Sequence, residues 1–393
     1  MQSPVNHQEE SIDGQTPLHE DEAPSKLEDG IGLCLSGGGN RAAIFHLGAL
    51  IRLNELGLLE QVDRISSVSG GSITNAWLGL QWNTLKSDHF SNASMLENVV
   101  EPICEFANHT IDYSAVAWGA INPWSDISDE VASSYDELLF QGMSLQDLPD
   151  KPRFVFNATN VKTGSVWRFS KPYMADYRVG MILKPDIPVA TAVAASSAFP
   201  PFLSPLRLPL DRFRFKPGVP SKLTSTVKQL RTDAVLTDGG VYDNLGLETV
   251  YKRYKTVLIS DGGQNMADDL NPKDDWARHS RRLIDLLQHQ VCSLRRRIVI
   301  EDFKNPADPH QGTYWGIHTD ISNYKLSNSL KCDFGKTTDL ARIDTRLGKL
   351  KPIIRQRLMN WGYAVCDAAI RKHLPDPGYK KPSDFPFPQA GLG

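Results

Sequence analysis

The chain has 393 residues, 40% of them apolar and 23% charged, a balance that excludes a fibrous or wholly disordered polypeptide and allows one large core. No apolar run approaches the roughly 20 residues needed to span a bilayer, and the start, Met1-Gln2-Ser3-Pro4, has no basic segment followed by an apolar one, so no export signal is expected. The net charge of −3 hides a split: residues 1–29 hold eight acidic side chains against Lys26 alone, which predicts a disordered acidic tail ahead of a mildly basic body.

From Gly30 the pattern becomes α/β. Ile31–Leu35 is a short apolar run and reads as a buried strand. A glycine loop follows, then a helix from about Arg41 to Leu56, with Ile44, Leu47 and Ile51 at helical spacing and Gly57 as its cap. Arg64–Val68 reads as the next strand and Ser72–Leu80 as the next helix, a βαβ pattern that predicts a central, mostly parallel sheet flanked by helices. Further strands are expected at Arg153–Asn160, Ser165–Ser170 (a hairpin across Lys162-Thr163-Gly164), Ala234–Thr237 and Thr256–Ser260. Pro188–Ala198 reads as an Ala-rich helix, and Trp276 to about Arg297 as a long amphipathic one. Residues 30–374 form one expected domain with a helical C-terminal part, and the Pro/Gly-rich stretch 375–393 an irregular tail.

Five scattered cysteines (Cys34, Cys104, Cys292, Cys332, Cys366) make no CxxC pair and no Cys/His cluster. Free thiols in a reducing cytoplasm are expected, with no metal and no cofactor.

Three segments carry the chemistry. Ser67-Val68-Ser69-Gly70-Gly71 stands where a strand meets a helix, the place where a nucleophilic serine is lifted above a sheet between small residues. A serine-rich turn that only caps the helix would look the same. Gly37-Gly38-Gly39 follows the first strand, and its unobstructed N–H groups suit an oxyanion hole. The spacing Gly37-x-Gly39-x-x-Ala42 also fits a dinucleotide fingerprint, but that reading requires an acidic residue at the end of the next strand, where Ser69 stands. A carboxylate follows two later strands, Asp238-Gly239-Gly240 and Asp261-Gly262-Gly263, and spacing alone does not choose between them.

In combination these segments resemble the patatin-like phospholipases. Gly37-Gly38-Gly39-Asn40-Arg41, Ser69-Gly70-Gly71, Asn157-Ala158-Thr159-Asn160, Ala195-Ser196-Ser197-Ala198-Phe199-Pro200-Pro201-Phe202 and Asp238-Gly239-Gly240-Val241-Tyr242-Asp243-Asn244 occur in that family's order across about residues 30–263. Ser67 replaces the elbow's first glycine, and Ala42 follows Arg41 where the family often has glycine. The resemblance implies a three-layer α/β/α fold and a lipid acyl hydrolase of phospholipase A or esterase type. It implies a Ser69–Asp238 dyad, with backbone amides of Gly37, Gly38, Gly39 and Gly70 at the oxyanion. Arg41, Gly71, Gly239, Gly240 and Asn244 would support the site, leaving Asp261 a structural turn. An acyltransferase would use the same residues. A Ser-Asp-His triad would recruit one of His279, His289, His310 or His318, none of which sits in a recognisable motif; His46 is assigned no chemistry.

The implied partner is a lipid or acyl ester, met at a membrane surface by a cytoplasmic, peripheral protein; no motif points to nucleic acid or calcium. Ala115–Trp124 and Pro200–Phe215 are the stretches expected either to border an acyl pocket or rest on lipid, or to pack in the core. Arg281-Arg282 and Arg295-Arg296-Arg297 would attract anionic headgroups or form a solvated helix face.

Overall fold

The computed structural model describes residues 26–111, 127–200, 203–220, 223–266 and 268–392; residues 1–25 of the acidic tail and the stretch Ala115–Trp124 lie outside them. The described strands are β1 (Glu28–Leu35), β2 (Val62–Ser67), β3 (Arg153–Asn160), β4 (Ser165–Phe169), β5 (Tyr173–Asp176), β6 (Gly180–Leu183), β7 (Leu206–Pro209), β8 (Asp233–Asp238), β9 (Tyr254–Asp261) and β10 (Gln311–Gly316). They form one sheet in the order β10-β9-β1-β2-β3-β4-β5-β6, with β8 pairing β3 and β7. The block from β10 to β3 is parallel, and the remainder antiparallel. β1 begins at Glu28, two residues before the expected edge of the domain, because Glu28 pairs with Tyr254. The hairpin across residues 162–164 forms as read, with Asn160 opposite Ser165.

The helices used below are α1 (Gly39–Glu55), α2 (Gly70–Ser87), α3 (Val189–Ser196), α4 (Trp276–Lys304), α5 (Phe334–Ala341) and α6 (Pro352–His373). Side chains of β1 alternate between two cores, as the pleat requires. Leu33 and Leu35 join Leu50, Phe45 and Trp361 on one side, while Cys34 joins Val257, Ile259 and Val250 with Cys292 and Val299 of α4 on the other. A sheet buried on both faces is a three-layer α/β protein. α1 ends as read: Gly57 donates to the Asn54 carbonyl and Leu58 to that of Leu53, a Schellman cap. α1 and α2 each start two residues earlier than predicted and α4 runs seven residues further, since the side-chain pattern marks where a helix buries its face and not where its hydrogen bonds begin.

α6 packs on α1 at backbone contact. A Cβ on Gly48 would fall 1.9 Å from the Met359 carbonyl oxygen, and one on Gly362 2.0 Å from that of Phe45. Asp367, fully buried, accepts from Arg52 Nε at 3.0 Å and from Arg371 Nη2 at 2.6 Å, a charge-assisted clasp between the two helices. The last segment, with a short 3-10 turn at Pro388–Ala390, is docked: the Asn360 amide exchanges hydrogen bonds with the backbone of Phe387, and Leu392 is buried. Gly48→Val is expected to force these helices apart, costing about 3 kcal/mol and lowering the thermal midpoint by several degrees in a melt followed by circular dichroism.

Candidate active site

Two strands converge end to end. β2 pairs with β3 from Arg64↔Arg153 to Ser67↔Phe156, and β8 pairs with it from Ala158↔Asp238 to Asn160↔Leu236. β4 holds the other edge of β3 over the same residues, so β2 and β8 share one edge. β2 runs parallel to β3 and β8 antiparallel, so their C-terminal ends meet opposite Asn157. Ser69 lies two residues beyond the end of β2, and Asp238 is the last residue of β8. The Ser69 hydroxyl lies close enough to the Asp238 carboxylate to favour its charged form.

Ser69 adopts φ 50° and ψ −123°, a sharp strand-to-helix turn that an L side chain adopts only when its surroundings enforce it. Here they do. The Ser69 N–H donates to Ser196 Oγ at 3.0 Å, and Ser196 Oγ donates to the Asn157 carbonyl at 2.7 Å. Asn157 Nδ2 donates in turn to the Ser67 carbonyl at 2.9 Å and to Ser66 Oγ. Ser67, which stands where the usual motif has glycine, is a strand residue whose hydroxyl meets Ser72 Oγ and accepts from Asn75 Nδ2. The close backbone approach falls instead at Gly70, where a Cβ would lie 2.1 Å from the Gly39 carbonyl oxygen. Ser196 and Asn157 were quoted in the sequence only as members of motifs; a serine inside an Ala-rich helix carries no local signal that it holds an elbow.

The glycine loop lies against this turn. Gly39 and Gly70 are the first residues of α1 and α2, so two helix N-termini, with amides that have no intrahelical acceptor, meet beside Ser69. Gly37 differs from its expected role. Its N–H donates to the Asn244 carbonyl at 3.0 Å, because the loop is tied there to the turn after β8, and that amide is committed. Asn244 thus braces the loop, while the Gly239 N–H donates to the Ser196 carbonyl at 3.2 Å and the Asp238 carboxylate accepts from the Gly240 N–H at 2.6 Å. Gly71 donates to the Val68 carbonyl and closes the elbow. Arg41 is buried and donates to the carbonyls of Ala341 and Ile343, at the C-terminal end of α5, and to that of Gly262. It is a strut, with its pKa lowered to about 10 by burial.

The two candidate carboxylates have opposite environments. Asp238 is buried, and that burial raises its pKa to about 7 even though the Gly240 amide and the Ser69 hydroxyl favour the charged form. Asp261 is equally buried, but Arg296 at 3.2 Å, the Tyr314 hydroxyl at 2.7 Å and the Gly263 N–H hold it below the ordinary carboxylate range. A carboxylate so fully engaged is a poor base.

A cavity of about 560 Å³ opens above the pair. Ile111, Phe199, Leu203 and Leu347 give it an apolar side, and α4 contributes Arg281, Arg282, Gln288 and His289. Of the stretch expected to border a pocket or pack in the core, Leu206, Leu208 and Leu210 are core, while Leu203 lines the cavity together with Phe199 just before it. Of the four histidines that a triad would recruit, His289 lines the cavity. His310 is held by Asp308 and the Tyr251 carbonyl ahead of β10, at the opposite end of the sheet. His318 accepts from the Asn265 N–H. His46 is buried between Ser260 Oγ and the Ser36 carbonyl, and burial lowers its pKa to about 4. Among the described residues no group of three or more His, Cys, Asp or Glu is placed to hold a metal ion.

A serine on an enforced turn, in contact with a buried aspartate under two helix N-termini, defines a serine–carboxylate pair on a three-layer α/β scaffold. The patatin-like phospholipase profile matches residues 33–251, more than half of the chain, and the chain belongs to that family. No curated protein sequence matches it. Among solved structures it is similar to human GIVD cytosolic phospholipase A2 in complex with methyl gamma-linolenyl fluorophosphonate, with a TM-score of 0.52 and 16% identity over 89% of this chain and 57% of that one. It is also similar to VipD from Legionella pneumophila, with a TM-score of 0.36 and 14% identity over 88% and 67% of the two chains. The chain spans about half the length of the human structures it matches, and the first of these likenesses places the mostly parallel sheet and its flanking helices in the same fold.

Because the pKa of Asp238 is raised from 3.8 to about 7, the native state binds this proton more tightly than the unfolded chain, and its contribution to stability falls as pH climbs from about 4 to about 7. Asp238→Asn removes that dependence. Denaturant titrations should find the variant level with the wild type near pH 4 and roughly 2–4 kcal/mol more stable above pH 7.

Proposed function

We propose that the chain hydrolyses acyl esters of lipids through an acyl-enzyme, with Ser69 as nucleophile and Asp238 as its base. The observation that carries this reading is the convergence of Ser69 with a buried Asp238, whose charged form its hydroxyl favours, at the floor of the cavity. Asp238 takes the hydroxyl proton as Ser69 Oγ bonds to the acyl carbon. The developing oxyanion meets the amides of Gly38, Gly39 and Gly70, each worth about 3 kcal/mol in such a role; Gly37 is left out because its N–H is occupied. The proton returns to the leaving alcohol as the ester bond breaks. Water then attacks the acyl-serine, Asp238 again accepting the proton, and releases the acid with Ser69 restored. These steps draw on no metal or cofactor.

A carboxyl group of ordinary pKa is a weak base towards a hydroxyl, whereas one at about 7 matches the range in which general bases work best. The apolar side of the cavity suits an acyl chain, and the arginines of α4 suit a polar headgroup. Five free cysteines favour a reducing compartment, where the protein would act at membrane surfaces as a peripheral enzyme.

The test is turnover of p-nitrophenyl esters and of phospholipid vesicles, with labelling by a fluorophosphonate probe. Ser69→Ala and Asp238→Ala should each lose about 10³-fold or more, and Ser69→Ala should no longer take up the probe. Normal turnover by either variant would end this reading. The kcat/KM of the wild type should rise with pH through about 7, as the base loses its proton. His279→Ala, His289→Ala, His310→Ala and His318→Ala should each keep most of the activity, and a loss of about 10³-fold in any one would replace the dyad with a triad.

A further inference from the structure

α4 turns an apolar stripe, Leu283, Leu287, Leu294 and Ile298, to solvent and another face to the site. The helix lies beyond residues 33–251, which carry the family profile, so what it adds to the cavity does not follow from that match. Cys292 and Val299 anchor it in the core. Arg295, over the Tyr242 ring, pairs with Asp243 at 3.8 Å and with Glu248 at 3.4 Å. These contacts fix α4 on the turn that follows Asp238. Gln288, two helical turns ahead of Arg295 on the same face, reaches that turn and lines the cavity.

A Cβ on Gly240 would lie 2.6 Å from Gln288 Nε2 and 2.9 Å from Asp238 Oδ1. Both atoms are therefore within 2.9 Å of one point, and less than two hydrogen-bond lengths separate them, a gap that a single oxygen bonded to both can bridge. Asn244 Oδ1 is as near to that point, yet Gln288 bonds to neither, and among the described residues its side chain has no hydrogen-bond partner. A donor left unused beside the base marks the place of an oxygen that accepts one hydrogen bond while it exchanges a proton with the carboxylate. In the hydrolase reaction that oxygen is first the one leaving the ester and then that of the attacking water.

We propose that Gln288 is a third catalytic side chain, whose amide N–H holds the leaving oxygen of the ester. As the acyl carbon–oxygen bond breaks, its electron pair passes to that oxygen and Asp238 supplies the proton; Gln288 donates a hydrogen bond and keeps its own proton. The inference rests on the hydrolase reading and deepens it. Such a donor counts in proportion to the charge that the leaving oxygen gathers: a p-nitrophenolate spreads its charge over the ring and needs little help, an alkoxide needs most. The test is kcat/KM on p-nitrophenyl, phenyl and trifluoroethyl esters of one acid, for the wild type and for Gln288→Met, which keeps the length and removes the amide. The variant should lose about tenfold or more on the trifluoroethyl ester and less than about twofold on the p-nitrophenyl ester, and Gln288→Ala should repeat the pattern. Labelling of Ser69 by a fluorophosphonate, which expels fluoride and no oxygen, should keep its wild-type rate in both variants. Equal losses on all three esters and on labelling would overturn the proposal and leave Gln288 a packing residue; so would variants unchanged on every ester. A wild type that turns over none of the esters and takes up no probe would overturn the hydrolase reading, and this inference with it, whereas wild-type turnover with no leaving-group effect of the substitutions overturns the inference alone.

Discussion

The site depends on one constraint of sheet topology: β2 and β8 share an edge of β3 and terminate against each other. A parallel and an antiparallel neighbour on the same edge must point their C-terminal ends together. The gap between those ends, opposite Asn157, is the only stretch of that edge left without a strand partner, and the backbone and amide of Asn157 are used there by Ser196, Ser66 and Ser67. Residues 169 positions apart in the chain are brought into contact by strand pairing alone, and the left-handed turn at Ser69 is held by hydrogen bonds that start from the same gap. Rigid strands on both sides make the separation of the Ser69 and Asp238 oxygens a property of the scaffold, which the proposed reaction, with no mobile intermediary, requires.

Dryness does the rest. Asp238 and Asp261 end β8 and β9 of the same sheet and are both buried, yet their acidities diverge because only Asp261 has a cation and a phenol beside it. Burial without compensation is unfavourable to the charged form of Asp238, and that disfavoured charge is what makes it basic. In the proposed mechanism the role given to histidine in a triad is filled by a carboxylate whose basicity comes from its surroundings. The energy stored in this way belongs to the class of local conflicts found at functional sites, where stability is lowered to obtain reactivity.

Much of this was legible in the sequence, for identifiable reasons. Apolar runs ending in glycine or serine marked β1, β2, β3, β8 and β9, because strands buried on both faces are continuously apolar and their turns are chemically conspicuous. The choice of Asp238 over Asp261 needed the family resemblance, since both precede Gly-Gly and both follow strands. What distinguishes them physically, Arg296 and Tyr314, is supplied by elements 35 and 53 residues downstream. The short strands β5, β6 and β7 and the edge strand β10 were not read, as four-residue strands and a glycine-flanked edge lack the length that makes alternation visible. The role of Gly37 is not legible in the sequence, because a glycine that frees an amide and one that brings a carbonyl partner close look identical there. Only the bond to Asn244 separates them.

α4 illustrates the same limit from the other side. Its sequence is amphipathic, and the ordinary inference is that the apolar stripe faces the core. The structure divides it differently: Cys292 and Val299 meet the core, polar and charged residues face the cavity, and the longest apolar stripe points outward. Burying that stripe would have turned Arg281, Arg282 and His289 away from the site, leaving the cavity wholly apolar on that side. The orientation observed places polar groups on the cavity wall and leaves the apolar stripe in water. A helix arranged in this way gives up burial of its apolar stripe and in exchange keeps polar side chains on the cavity wall.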